Sequence, residues 1–413
     1  MRFRILGLLA VLATPVSAQR PACAPDNGGL TLPRGFCALV VAESIGVVRH
    51  LAVAPNGDIF AAKRSPRQGA SGTGGIVVLR DADGDGKAEV VSAFYDGPGG
   101  SGITLAPDAV YFSQTDRVLR FPWKPGELKP SGMPEIVATG LPVGGHDQKG
   151  LALGPGGALF VSFGSLSNSC QPPEGDRKGP VPSPNPCTEL EARAGIWRFD
   201  AKKLNQSPAD AKRWATGLRN AMAVTIDPTT GTLYAASHGR DNLTENWKFP
   251  AEEGRENPAE TFYALPEGAD AGWPYCYFDS RKKVKLQNPE YGGDGTKTGD
   301  CATKADPVLS FPGHWAPNAT AFYRGNQFPA AYRGGVFIAF HGSWNRAPAP
   351  QEGYRVVFAP LREGKAAGPW ETFAAPAGAP TSIRPSGLAV GPDGSLYIGA
   401  DGQQKIWRVM YRP

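Results

Sequence analysis

The stretch Leu151-Ala152-Leu153-Gly154-Pro155-Gly156-Gly157-Ala158-Leu159-Phe160-Val161-Ser162-Phe163-Gly164 decides the fold. Two short apolar runs flank a turn of glycine and proline, which reads as two antiparallel strands tightly joined. The pattern recurs in Leu51-Ala52-Val53-Ala54-Pro55-Asn56-Gly57-Asp58-Ile59-Phe60, then from Gly102 to Phe112, from Val224 to Tyr234 and from Gly387 to Ile398. A degenerate copy with a longer turn runs from Ala319 to Ala339. Most copies are followed by a third strand with an aromatic or basic end, such as Gly195-Ile196-Trp197-Arg198-Phe199 or Lys405-Ile406-Trp407-Arg408-Val409. Six units of this kind are the signature of a radial repeat. The expectation is an all-β chain folded as a six-bladed β-propeller, which leaves only short sheet edges exposed. A two-sheet sandwich is the rival, but it rarely repeats one pattern so often.

The composition agrees. Fifty-three glycines and 40 prolines lie scattered between apolar runs, as many turns between many strands require. Aromatic residues make up 10% of the chain, which argues against disorder. The net charge of +5 falls by two if Arg2 and Arg4 are removed with a leader, and so weak a charge does not call for nucleic acid or a membrane surface. Residues 1–18 read as a signal peptide: Arg2 and Arg4, the apolar run Ile5 to Leu12, and small residues at Val16-Ser17-Ala18. No other apolar run is long enough to span a bilayer. The domain reading is therefore a leader at 1–18 and one propeller at 19–413, with an insertion at about 248–312 between blades, in a periplasmic or secreted protein. Six cysteines fit an oxidising compartment, and their order suggests Cys23 with Cys37, Cys170 with Cys187 and Cys276 with Cys301. Fifteen connectivities are formally open.

Several chemistries lack their motifs. There is no G-x-S-x-G in a strand-to-helix setting, no dinucleotide fingerprint between a strand and a helix, and no H-E-x-x-H. Asp81-Ala82-Asp83-Gly84-Asp85-Gly86 imitates the start of a calcium loop, but Ser92 stands at the twelfth place, where a bidentate glutamate belongs. A polar turn is the plainer reading and a weak structural calcium site the alternative. The remaining polar clusters lie at strand ends, where propeller loops gather at one mouth. They are His146 with Lys149, Arg219-Asn220, His238-Gly239-Arg240-Asp241-Asn242, His314, His341 to Arg346, and Arg384. Several arginines around one pocket suit a ligand with several carboxylates, and a neutral histidine nearby can take a hydroxyl proton.

On these stretches, and on Arg80-Asp81-Ala82-Asp83-Gly84-Asp85-Gly86-Lys87, Gly272-Trp273-Pro274-Tyr275-Cys276, His341-Gly342-Ser343-Trp344-Asn345-Arg346 and Arg384-Pro385-Ser386-Gly387, the chain resembles the glucose/sorbosone dehydrogenase family over about Gly35 to Tyr411. That family consists of six-bladed propellers that use pyrroloquinoline quinone (PQQ) and calcium. The resemblance implies that His146 is the general base, that Arg219 and Asn220 contact the quinone, and that carbonyls of Gly239 and Arg240 help to hold calcium. Arg346 loosely, and Arg384, would clamp the carboxylates of PQQ. The implied substrate is a sugar or sugar-derived aldehyde, and the implied electron acceptor is a quinone or a cytochrome. Gly145 stands where the soluble glucose enzymes carry an aspartate before the base. Two other readings remain at this point. One is a propeller lactonase with a central metal. The other is a non-catalytic carbohydrate-binding propeller that stacks sugars on Trp273, Trp315 and Trp344.

Overall fold

A computed structural model of the chain describes residues 21–65 and 73–413. The signal-peptide reading of residues 1–18 lies outside them. Six antiparallel sheets of four core strands follow one another along the chain. Blade 1 is Val48–Val53, Ile59–Lys63, Gly75–Arg80 and Val90–Tyr95. Blade 2 is Ile103–Ala106, Ala109–Ser113, Arg117–Pro122 and Glu135–Thr139. Blade 3 is Leu151–Leu153, Ala158–Phe163, Gly195–Asp200 and Lys212–Thr216. Blade 4 is Ala223–Ile226, Leu233–Ser237, Glu260–Ala264 and Leu309–Phe311. Blade 5 is Pro317–Phe322, Val336–Phe340, Arg355–Ala359 and Glu371–Pro376. Blade 6 takes Pro385–Val390, Leu396–Ala400 and Lys405–Tyr411, and is completed by the early strand Phe36–Ala42. The expected six-bladed propeller is the fold.

The ring is held by apolar layers between neighbouring blades. The strand Val336-Phe337-Ile338-Ala339-Phe340 is buried along its whole length. Side chains alternate across a strand, so Phe337 and Ala339 pack toward blade 6 with Leu396, Ile398 and Trp407. Val336, Ile338 and Phe340 pack toward blade 4 with Tyr234, Phe262 and Phe311. Leu233–Ser237 divides likewise, Leu233 and Ala235 toward blade 3 and Tyr234 and Ala236 toward blade 5. A second strand covered on both faces reads as an unbroken apolar run, which is why the repeat stood out in the sequence.

One organisational expectation is corrected. The stretch 248–312 is not an insertion between blades, because it carries Glu260–Ala264 and Leu309–Phe311, the outer half of blade 4. Two short helices, Leu243–Trp247 and Ala251–Glu256, lie between the second and third strands of this blade. A hairpin, Cys276–Asp279 with Val284–Gln287, then separates the third strand from the fourth. The three cysteine pairs form as their order suggested: Cys23–Cys37, Cys170–Cys187 and Cys276–Cys301. Among the described residues, no helix is long and apolar enough to cross a membrane.

Candidate functional site

Strand direction alternates within a blade, so two classes of connection emerge at one end of the ring: blade to blade, and second strand to third. All five histidines of the chain belong to that end. His146, His314 and Arg384 lie on blade-to-blade connections, as do Arg219 and Asn220. His238 and His341 directly follow second strands, and His50 sits near the start of the first inner strand.

His146 is held against the end of blade 3. Its backbone N–H donates to Ser165 O at 2.9 Å. Its Nδ1 lies 3.1 Å from Ser165 O and 3.0 Å from Ser165 Oγ. The Ser165 hydroxyl donates to Ser167 O at 2.6 Å, so toward the imidazole it accepts. The network therefore assigns the proton to Nδ1 and leaves the Nε2 lone pair without a partner among the described residues. Burial, then the charge of Arg219 and the neighbouring His238, holds the imidazole well below its usual pKa, so it is neutral at pH 7. Close approach requires glycine twice. A Cβ on Gly164 would lie 2.4 Å from His146 O. Gly145 has φ +62°, and a Cβ there would lie 2.3 Å from Leu166 O, so an aspartate cannot stand at 145 without displacing that strand end. Lys149 staples the loop from beneath by donating to Pro142 O at 2.8 Å and Asp147 O at 2.6 Å, and burial pushes its ammonium down to about 8.

The three arginines expected as carboxylate clamps differ in availability. Arg219 is buried and donates to Asn168 O, Gly239 O, Asn168 Oδ1 and Asp241 Oδ2 at 2.7–3.1 Å. Of five N–H groups, one is left, too few for a bidentate grip. Arg346 is buried and engaged with Arg255 O, Gly313 O and Glu256 Oε1. Arg384 is only half-buried. It gives one N–H toward His341 Nδ1 at 3.2 Å and one to Tyr354 OH at 3.3 Å, while its guanidinium stacks 5.1 Å from the Tyr354 ring centroid. Its other donors have no partner among the described residues. Asn220, also half-buried, donates to His238 Nδ1 at 3.4 Å, and its side-chain oxygen has no partner among the described residues.

Asp241 knits the mouth together. Its Oδ2 accepts from Arg219 at 3.0 Å and Arg177 at 2.7 Å, and its Oδ1 accepts from Asn345 at 3.0 Å and faces His314 Nδ1 at 3.4 Å. Burial opposes its charge, but Arg219 and the other donors hold the carboxyl well below the usual range. The loop Gly239–Arg240 runs beside it. Gly239 O accepts Arg219 Nη1 at 2.7 Å, and Arg240 is locked by Glu290 Oε2 at 2.6 Å. Behind the loop, burial pushes the Glu260 carboxyl up to about 7, where it accepts Gly239 N at 3.1 Å and Ala316 N at 3.2 Å.

Of the three tryptophans considered for sugar stacking, Trp273 and Trp315 are buried at 5% and 3% exposure, and only Trp344 is open at 67%. The calcium-like loop gathers Asp81, Asp83, Asp85 and Glu89, using the ninth residue rather than the twelfth. The carboxylates already accept loop N–H groups, as Asp81 does from Gly84 and Gly86. Sequence reasoning missed Arg49, Ser165, Asn168, Tyr354 and Asp401. Aligning the repeats offers a signal for two of them: the first or second residue beyond each second strand reaches the mouth, which gives Ser165 and Asp401 beside His238 and His341.

A family model described as TrAA12-like matches residues 30–412. A pyrroloquinoline quinone-dependent pyranose dehydrogenase of Coprinopsis cinerea is 28% identical over 260 residues, 52% of this chain and 34% of that protein. An uncharacterized protein of Borreliella burgdorferi is 28% identical over 203 residues, 48% of each chain. The chain thus spans about a third and about half of these relatives. Among solved structures, a Trichoderma reesei protein of Carbohydrate-Active Enzymes Family AA12 superposes with a TM-score of 0.77 at 17% identity, covering 93% of this chain and 98% of that one. The PQQ domain of the Coprinopsis cinerea pyranose dehydrogenase gives 0.73 at 19%, covering 96% and 99%. A soluble aldose sugar dehydrogenase of Escherichia coli gives 0.63 at 15%, covering 91% and 100%. At these identities the structural likeness is one of fold.

Proposed function

The chain belongs to the TrAA12-like family, and from that premise we propose that it is an exported oxidoreductase, a PQQ- and calcium-dependent dehydrogenase of sugars or sugar-derived aldehydes. The observation that carries this reading is His146, a neutral imidazole whose Nε2 lone pair is free at the mouth while Nδ1 is fixed by Ser165. The residues present fit PQQ, with a redistribution of roles. Arg384 offers a guanidinium with free donors, Arg219 adds one N–H, and Asn220 offers an amide edge. Arg346 supports the wall instead, by tying its loop to Glu256. Calcium would be held by the carbonyls of Gly239 and Arg240; the former already accepts from Arg219 but has a second lone pair.

Bound there, PQQ would supply the hydride acceptor and calcium a Lewis acid for its quinone oxygen. The protein's own part is to orient the ligand and move one proton. Nε2 of His146 takes the proton of the substrate hydroxyl as the carbon gives up hydride. The proton on Nδ1 stays with Ser165 throughout and keeps the ring in its working tautomer. Three disulfides suit an exported protein. The lactonase reading needs open carboxylates, whereas Asp241 and Glu260 are buried and engaged and Asp401 is paired with Arg49 and His341. The test is to titrate the purified protein with PQQ and calcium, then to follow dye reduction with aldoses, sorbosone and simple aldehydes. Saturable binding with calcium-dependent turnover is the expected result. No PQQ binding at micromolar concentration removes the cofactor and the reading with it.

A further inference from the structure

Away from His146, on the opposite arc of the mouth, four charged or ionisable groups form a chain across three blades. Arg49 Nη1, from blade 1, donates to Asp401 Oδ2 at 2.9 Å. Asp401, beyond the second strand of blade 6, faces His341 Nε2 through Oδ1 at 2.8 Å. His341, beyond the second strand of blade 5, faces Arg384 Nη1 through Nδ1 at 3.2 Å. A carboxylate can only accept, so Nε2 carries the proton, and Nδ1 presents its lone pair to the guanidinium. The tautomer is the opposite of that of His146.

We propose that His341 is a positioning residue for Arg384: a neutral acceptor, fixed in its tautomer by Asp401, that aims the guanidinium at a ligand carboxylate without cancelling its charge. The identity of that ligand as PQQ rests on the reading given above. The chemistry of the alternatives supports the choice of residue. A carboxylate at 341 would pair with Arg384 directly and compete with an incoming anion. An imidazole holds the same N–H and leaves the positive charge available. Tyr354 completes the arrangement, because its hydroxyl donates to Ser343 O at 2.5 Å and can only accept from Arg384 Nη2.

The arrangement fails if Nδ1 gains a proton, since two N–H groups would then oppose each other. The groups facing His341 are Asp401, Arg49, Arg384 and, across the mouth, His238. Burial first, then the two arginines against the Asp401 pair, keeps the imidazole below its ordinary pKa.

Two measurements test the proposal on the whole protein. Long-range proton–nitrogen spectra of protein carrying isotopically labelled histidine, with the resonance assigned by its loss in His341→Asn, read the tautomer without any ligand. A proton on Nε2 alone at neutral pH is expected, with the preference weakened in Asp401→Asn. A proton on Nδ1, or an imidazolium, overturns the proposal whether or not PQQ binds. PQQ titrations give the second readout. Arg384→Met and His341→Asn should each weaken binding about tenfold or more, and the double variant should be no weaker than Arg384→Met. Wild-type affinity should fall on acidification below the ordinary histidine range, and His341→Asn should flatten that dependence. Additive losses, or an unchanged pH dependence, overturn the proposal. If wild type binds no PQQ, the cofactor reading fails and the tautomer measurement alone decides.

Discussion

The two arcs of the mouth are built on different principles. The arc of blades 3 and 4 is saturated. Asn168 bonds to Arg219 through both backbone and side chain and to the Asp241 backbone through its side-chain amide, Trp273 Nε1 donates to Asn168 O at 3.0 Å, and Cys170, Cys187, Ala194 and Trp273 pack as one cluster. The arc of blades 5, 6 and 1 keeps donors in reserve, with Arg384 half-buried and Trp344 exposed. The difference teaches that an arginine on a mouth loop is a clamp or a rivet according to how many of its donors the fold has already engaged.

Breaking the more fully engaged arc at His146 should have the largest effect. His146→Ala should lower dye reduction about a thousandfold, as loss of a general base does, while PQQ affinity in a titration changes little. Next, Cys170→Ser with Cys187→Ser should cost about 3 kcal/mol in urea unfolding, by the loop-closure model for a 17-residue separation, and should loosen Asn168 and with it Arg219. An unchanged midpoint would mean that hydrogen bonds alone hold this arc. A smaller loss separates rivet from clamp. Arg346→Met should cost about 2 kcal/mol of stability, because it leaves Glu256 and two carbonyls without a donor. Arg384→Met should lower PQQ affinity and leave the unfolding midpoint in place. The smallest effect is one of pH. His146 is neutral until well below its ordinary pKa, so kcat/KM should stay flat from about pH 8 to about pH 6.5 as far as this base is concerned. A decline centred near 6.5 would assign the base to an imidazole backed by a charge.

The repeat made the blades legible, because a strand covered on both faces must be apolar throughout. It failed in blade 4, where the third strand Glu260-Thr261-Phe262-Tyr263-Ala264 follows two helices and opens on polar residues. The site was legible as a set of loops and illegible as a set of roles. Arg346 and Arg384 stand in similar company of small and polar residues. Only the fold places Glu256 against the first and leaves the second open. Ser165 and Asp401, which fix the two opposed tautomers, are an ordinary serine and an Asp-Gly turn until the ring closes around them.

Closure itself has a consequence for how the molecule comes into being. Phe36–Ala42 is the outer strand of the last blade, and Trp407 Nε1 reaches back to Gly28 O across 379 residues. Phe36–Ala42 must therefore wait for Lys405–Tyr411, the last strand of the blade, before it is paired. Until then Lys405–Tyr411 and Phe36–Ala42 are open edges of the kind that recruit other chains, and so distant a pairing makes for slow folding. Assembly of this propeller is thus a race between ring closure and aggregation. Changes confined to its two ends, far from any chemistry, should register in the yield of native protein before they register in its rate of turnover.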